Sequence, residues 1–243
     1  MRTVEQRRIR GVIFDLDSTL LRSKRGAMRA LRVASELIHE HIAKEGYHYG
    51  KAELLRQLRL VDQFMLGRKH FYNRDVWWKA LLKELGLSQL SGPWVHQTTL
   101  HYWRIYAAES PPFQDAEPTL KRLKRAGFRI GMVSDSDGTP GMKRKRIRMQ
   151  SFRTLLETIV VAGEDTPKVK PSKAPFLLVA GHLGLSPKNC IYIGDNPRTD
   201  IDGAKAAGMI MIRVRRDSIR MGRPDYEVRA LREIPPLIFK LSS

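Results

Sequence analysis

From about residue 113 to residue 215 the chain alternates between short apolar runs and segments with a helical period. Phe128–Val133, Thr158–Ala162 (TIVVA), Cys190–Ile193 and Met209–Val214 are too short for buried helices and read as strands. Helical patterns separate them. Asp115–Ala126 turns Leu120 and Leu123 inward and stops at Gly127, Lys173–Leu183 stops at Gly184, and Asp200–Ala207 stops at Gly208. A basic helix fills the remaining gap, and a last short helix is expected over Pro235–Leu241. Residues 11–16, near the N-terminus, form one more apolar run and read as the first strand. Strands joined through helices require right-handed crossovers, hence a parallel sheet covered on both faces. The expected fold is therefore α/β, a Rossmann-like doubly wound sheet.

Between residues 23 and 110 no strand pattern is found. The period is helical in four places: Lys24–Ala43, Glu53–Phe64, Asp75–Leu85 and Pro93–Ala108. An all-helical block inserted after the first strand reads as a separate cap domain. The expected division is residues 1–22 and 113–243 for the α/β part and residues 23–112 for the cap, with Pro111-Pro112 closing the insertion.

Composition narrows the class. Of 243 residues 42% are apolar and 28% charged, enough for a buried core. No apolar run approaches the ~18 residues of a membrane span, and the basic N-terminus lacks the apolar stretch of a secretory signal. The single cysteine, Cys190, excludes an internal disulfide, fits a reducing cytoplasm, and reads as a small buried residue beside Ile191-Tyr192-Ile193. The net charge of +19 favours anionic partners, from phosphorylated metabolites to nucleic acid. The densest basic run, Lys143-Arg144-Lys145-Arg146-Ile147-Arg148, reads as a solvated helix face. It has no interleaved aromatic residues, so a dedicated nucleic-acid site is not favoured.

Polar residues fall where ligands bind in such sheets, beyond the carboxyl ends of the strands. The first strand leads into Asp15, Asp17 and Thr19, the second into Ser134 and Asp135, and the fourth into Gly194-Asp195 with Asp200 five residues on. Lys170 lies in the loop after the third strand. Each alone reads equally well as a turn or cap residue. Their joint occurrence after successive strands does not. Carboxylates converging on one spot repel unless a cation sits among them, and Mg²⁺ takes few carboxylates together with waters and a substrate phosphate. A lysine and a hydroxyl beside them suit phosphoryl transfer, and a carboxylate there can attack phosphorus.

These residues resemble the haloacid dehalogenase (HAD) superfamily, in the class with an all-helical cap after the first strand. Asp15-Leu16-Asp17-Ser18-Thr19 matches its Asp-x-Asp-x-Thr motif, Ser134 its strand-ending hydroxyl, and Lys170-Pro171 its lysine. Gly194-Asp195 with Asp200 matches its final motif. Ser18 stands where the family usually has glycine. The resemblance implies Asp15 as nucleophile and metal ligand. It implies Asp17 as general acid and base, its backbone carbonyl on the metal. Thr19 would orient Asp17 and, with Ser134 and Asp135, border the phosphoryl group. Lys170 would stabilise the nucleophile and phosphate, Asp195 would bind Mg²⁺, and Asp200 would support the site directly or through neighbours.

The second aspartate argues for a phosphate ester, because an alkoxide leaving group needs a proton and a halide does not. Burial and the neighbouring Asp15 are expected to raise the pKa of Asp17, partly opposed by Mg²⁺. The function expected is a Mg²⁺-dependent phosphatase of a small phosphorylated metabolite. A phosphosugar mutase with the same site and a non-catalytic anion or nucleic-acid binder are the alternatives. Arg22, Arg68, Lys69, His70 and Asn73 are cap candidates for specificity, each also readable as solvated surface. His96 and His101 do not form a recognisable metal pair, and Trp77, Trp78, Trp94 and Trp103 read as cap core.

Overall fold

The computed structural model describes residues 8–67, 72–216 and 221–242. They form two compact units.

The first unit comprises the described residues within 8–21, 112–136 and 143–242. Its sheet has strands β1 (Gly11–Phe14), β2 (Arg129–Asp135), β3 (Thr158–Ala162), β4 (Cys190–Gly194), β5 (Ile210–Val214) and β6 (Tyr226–Val228). Among the described residues the order is β3-β2-β1-β4-β5-β6, and every pairing is parallel. The edge strand β6 has no counterpart in the sequence reading. It is three residues long with Glu227 in the middle, too short for a period to show.

Side chains alternate across a strand, so a central strand must be apolar on both faces to be covered on both. Val12 and Phe14 of β1 join one buried cluster with Leu120 and Leu123 of α5 (Ala116–Arg125), Ile147 of α6 (Met142–Arg148) and Ile238 of α9 (Ile234–Ser242). Ile13 faces the other way, toward Phe176 and Val179 of α7 (Ala174–His182) and Ile201 of α8 (Asp200–Ala206). Each such side chain contributes roughly 1.5–3 kcal/mol on burial. The chain winds one way from β1 to β3 and the other way from β4 to β6. That reversal places a crevice beyond the paired ends of β1 and β4.

The second unit comprises the described residues within 22–111 and 137–142. Among the described residues it is built on four α-helices: α1 (Ser23–Lys44), α2 (Lys51–Gly67), α3 (Arg74–Glu84) and α4 (Pro93–Ala108). Its core gathers Ala34 and Ile38 of α1, Leu58 of α2, Trp77 and Trp78 of α3 and Trp103 of α4. A buried arginine sits among them. Arg74 donates to Asp62 at 2.5 Å and to the Tyr102 hydroxyl at 2.8 Å, and its guanidinium lies 3.6 Å from the Trp77 ring centre. Residues 137–142, expected in the α/β part, group here instead. Met142 packs on this core, and the Gly138 backbone presses against Asn73, where a Cβ would come within 2.1 Å of the Asn73 nitrogen. Asn73 itself caps α3, its side chain accepting from the Asp75 N–H at 3.0 Å. Arg22 is exposed, and Arg68, Lys69 and His70 lie outside the described residues. Among the described residues no helix is long and apolar enough to cross a membrane.

Candidate active site

The chain leaves β1 at Phe14 and coils tightly, the Leu20 and Leu21 N–H groups both donating to the Leu16 carbonyl at 2.9 and 3.0 Å. Leu16 is fully buried and anchors this coil. Ser18 takes a left-handed φ of +61°, the conformation that glycine adopts without cost. Asp15 and Asp17 flank Leu16 and meet different surroundings.

Asp15 is buried, with its N–H on the Ile193 carbonyl of β4 at 2.9 Å. Its Oδ1 accepts from Lys170 Nζ at 2.8 Å, and the same ammonium donates to Asp200 Oδ1 at 2.7 Å. The Tyr192 hydroxyl completes the group, 3.2 Å from Asp200 Oδ1 and 3.4 Å from Lys170 Nζ. Burial pushes the Asp15 carboxyl up to about 7, Lys170 opposing and Asp200 adding to the rise. Burial would strip the proton from Lys170, but Asp15 and Asp200 outweigh it and hold the ammonium well above its ordinary range. The Lys170 N–H donates to Asp135 Oδ1 at 3.0 Å, so Asp135 holds the backbone of the lysine loop. Burial raises the Asp135 carboxyl, against the pull of Lys170.

Asp195 follows β4, and the buried Arg213 of β5 supports it from behind, Nε donating to the Asp195 carbonyl at 3.2 Å. Asp200 opens α8 and folds back on Gly194. A Cβ at Gly194 would lie 2.3 Å from Asp200 Oδ2, so the glycine is required for room. Oδ2 also accepts from the Asn196 N–H at 2.9 Å. Asp15, Asp195 and Asp200 each bring a carboxylate oxygen within 4.8 Å of the others. Hard oxygen donors at that spacing fit a divalent cation, which would offset the burial and repulsion raising the Asp15 carboxyl.

Asp17 differs from its expected state. Its Oδ2 accepts from Lys143 Nζ at 2.5 Å and from Arg146 Nη1 at 3.3 Å, while Arg146 Nη2 donates to Oδ1. Burial alone would raise the Asp17 carboxyl, but Arg146 and then Lys143 outweigh it and hold it far below the ordinary carboxylate range. The expected upward shift falls on Asp15 instead. The basic run is not simply a solvated face either. Lys143 and Arg146 are buried, Arg144 turns to Asp165, and Lys145 and Arg148 are exposed.

Ser134 is buried near the end of β2. Among the described residues the buried Thr19 hydroxyl finds no hydrogen-bond partner, so it does not orient Asp17 in this structure. Cys190 is buried, and burial pushes its thiol up to about 11, the opposite of what a nucleophile needs. Tyr192, Lys143, Arg146 and Arg213 were not anticipated. The one sequence signal was spacing: Lys143 and Arg146 stand three apart, on one face of a helix.

A description of haloacid dehalogenase-like hydrolases matches residues 9–208. The chain belongs to that family. It is 29% identical over 242 residues to a glyceraldehyde 3-phosphate phosphatase of Methanopyrus kandleri, covering 96% of this chain and 99% of that one. It is 27% identical over 214 residues to a phosphoglycolate phosphatase of Salmonella typhi, covering 82% and 79%. A HAD phosphatase from Thermococcus onnurineus superposes with a TM-score of 0.71 at 24% identity, over 95% of this chain and 98% of the other. A 2-haloacid dehalogenase from Pseudomonas syringae superposes with 0.69 at 22% identity, over 96% and 99%. At these identities the two structures establish the HAD fold, and the fold alone does not separate the two chemistries.

Proposed function

We propose that this HAD-family hydrolase is a Mg²⁺-dependent phosphatase of small phosphomonoesters, working through an aspartyl-phosphate on Asp15. The observation that carries the reading is the buried Asp15 carboxylate at the end of β1, held by Lys170 and within 4.8 Å of Asp195 and Asp200. The names of the full-length relatives support it. Asp15, Asp195 and the Asp17 backbone carbonyl are the ligands for Mg²⁺ in this reading, with Asp200 in support. Bound there, Mg²⁺ supplies positive charge against the carboxylates and the phosphoryl oxygens.

An Asp15 oxygen attacks phosphorus, the ester P–O bond breaks, and the leaving oxygen takes a proton from Asp17. Water then attacks the aspartyl-phosphate and gives a proton to Asp17, and inorganic phosphate departs as the Asp15–phosphorus bond breaks. Lys170, Ser134 and Thr19 receive the phosphoryl oxygens. The Lys143–Arg146 pair favours ionised Asp17, the form that the second half needs. The first half requires Asp17 to carry a proton against that field.

Phosphate release from p-nitrophenyl phosphate, phosphoglycolate and glyceraldehyde 3-phosphate, with Mg²⁺ and with EDTA, tests the reading. Release that EDTA abolishes is expected. Absence of release from every phosphomonoester in a broad panel overturns it.

A further inference from the structure

We propose that Lys143 and Arg146 are positioning residues for Asp17, fixing its carboxylate in one orientation for proton transfer. The inference rests on the phosphatase reading above.

Lys and Arg are almost never fully buried unless paired, and here both are, with side chains 4% and 2% exposed. Both reach one carboxylate. Arg146 takes it with both terminal nitrogens, which sets the plane of the carboxylate, and Lys143 adds a point contact at 2.5 Å on Oδ2. Neutralising Asp17 needs one cation; stopping its rotation needs contacts on both oxygens. The helix that carries them is itself held, because Ile147 is fully buried in the cluster under β1. Lys143 and Arg146 share a face, while Arg144 leaves it for Asp165 at 2.5 Å.

Stability alone does not explain the arrangement. A buried ion pair is often no more stabilising than apolar side chains of the same size. An acid–base group, by contrast, loses rate steeply when its orientation is lost.

A double-mutant cycle tests the assignment. Arg146→Met, Arg146→Lys and Lys143→Met are each made in the wild-type and the Asp17→Asn backgrounds. Turnover of p-nitrophenyl phosphate is read at high enzyme concentration, with a melting temperature for each variant. In the wild-type background Arg146→Met should lower kcat about ten- to a hundredfold, with KM unchanged or lowered. Arg146→Lys should recover part of the loss. In the Asp17→Asn background the same substitutions should change turnover by less than about twofold, because the group they position is gone. Equal losses in both backgrounds, or a loss confined to KM, overturn the proposal. If Arg146→Met does not fold, Arg146→Lys and Lys143→Met carry the cycle.

A crystal structure of Lys143→Met or Arg146→Lys gives a readout independent of activity. The Asp17 carboxylate should turn or lose order, and an unmoved, ordered carboxylate overturns the proposal. Wild-type inactivity on every phosphomonoester would strike the phosphatase reading. Wild-type activity with additive cycles would strike this inference alone.

Discussion

Asp15 and Asp17 are separated by one leucine, yet they sit in opposite electrostatic settings. Asp15 shares a single ammonium with Asp200, in a pocket where burial dominates and the carboxyl is pushed up to about 7. Asp17 meets two cations, Arg146 and Lys143, and is held down. Two carboxyl groups pushed apart in this way can take different chemical roles. The side with a single ammonium among its carboxylates is the side where three carboxylates gather and a divalent cation fits. The side already neutralised needs none.

The largest effect that bears on this contrast is loss of the proposed nucleophile, Asp15. Asp15→Asn should lower kcat/KM on the order of a thousandfold or more, since no neighbouring carboxylate replaces it as nucleophile. It should leave no acid-stable phosphoenzyme after brief incubation with substrate. Asp17→Asn should slow turnover by about 10²–10⁴-fold and leave a phosphoenzyme that forms and persists, because the water attacking it loses its proton acceptor. Labelling by ³²P from substrate, quenched in acid, separates the two. If both variants label alike, the roles are not divided as the geometry suggests.

The same contrast explains what could be read from the sequence. Asp15, Ser134 and Asp195 follow or close apolar strands, so period and polarity together place them on one edge of a parallel sheet. The helices of the second unit declare themselves by their 3.6-residue period. Lys143 and Arg146 do not, because a basic run has the same composition whether it faces water or a carboxylate 126 or 129 residues away. Arg74 is hidden for the same reason, its partners being Asp62 and an aromatic cluster that only packing assembles. The pKa of Asp17 was misjudged because its charge partners were unknown. Asn73, read from the sequence as a specificity candidate or solvated surface, instead caps α3 with its side chain.

Next in size is the dependence on pH. In the proposed reaction attack requires ionised Asp15, so at limiting Mg²⁺ activity should fall as the pH drops through about 7. Proton and cation compete for the same oxygens, so saturating Mg²⁺ should move that limb to lower pH. Superimposable profiles at low and high Mg²⁺ would remove Asp15 from the metal site. Stability should show both signs. Folded Asp15 binds more protons than unfolded between the ordinary 3.8 and about 7, so its contribution declines as the pH rises through that window. Asp17 is depressed, so its contribution is complete above the ordinary carboxylate range and is lost as the pH falls below it. Urea midpoints of wild type and Asp17→Asn should therefore converge on acidification.

The smallest effect is the most discriminating, because stability and activity should move in opposite directions. The Thr19 hydroxyl is buried beside this site without a partner among the described residues. A buried hydroxyl left unbonded costs about 1–3 kcal/mol, whereas an isosteric methyl in its place costs nothing of the kind. Thr19→Val should thus leave the free protein as stable as wild type or more stable by about 1 kcal/mol. If the hydroxyl is kept for a ligand, the variant should bind phosphate more weakly and turn over several-fold more slowly. Thermal melting with and without inorganic phosphate reads both: wild type should gain more from phosphate than Thr19→Val, starting from an equal or lower melting temperature. An equal gain in the two proteins would mean that Thr19 does not meet the phosphoryl group. The unpaired hydroxyl would then be a packing defect in the coil after β1.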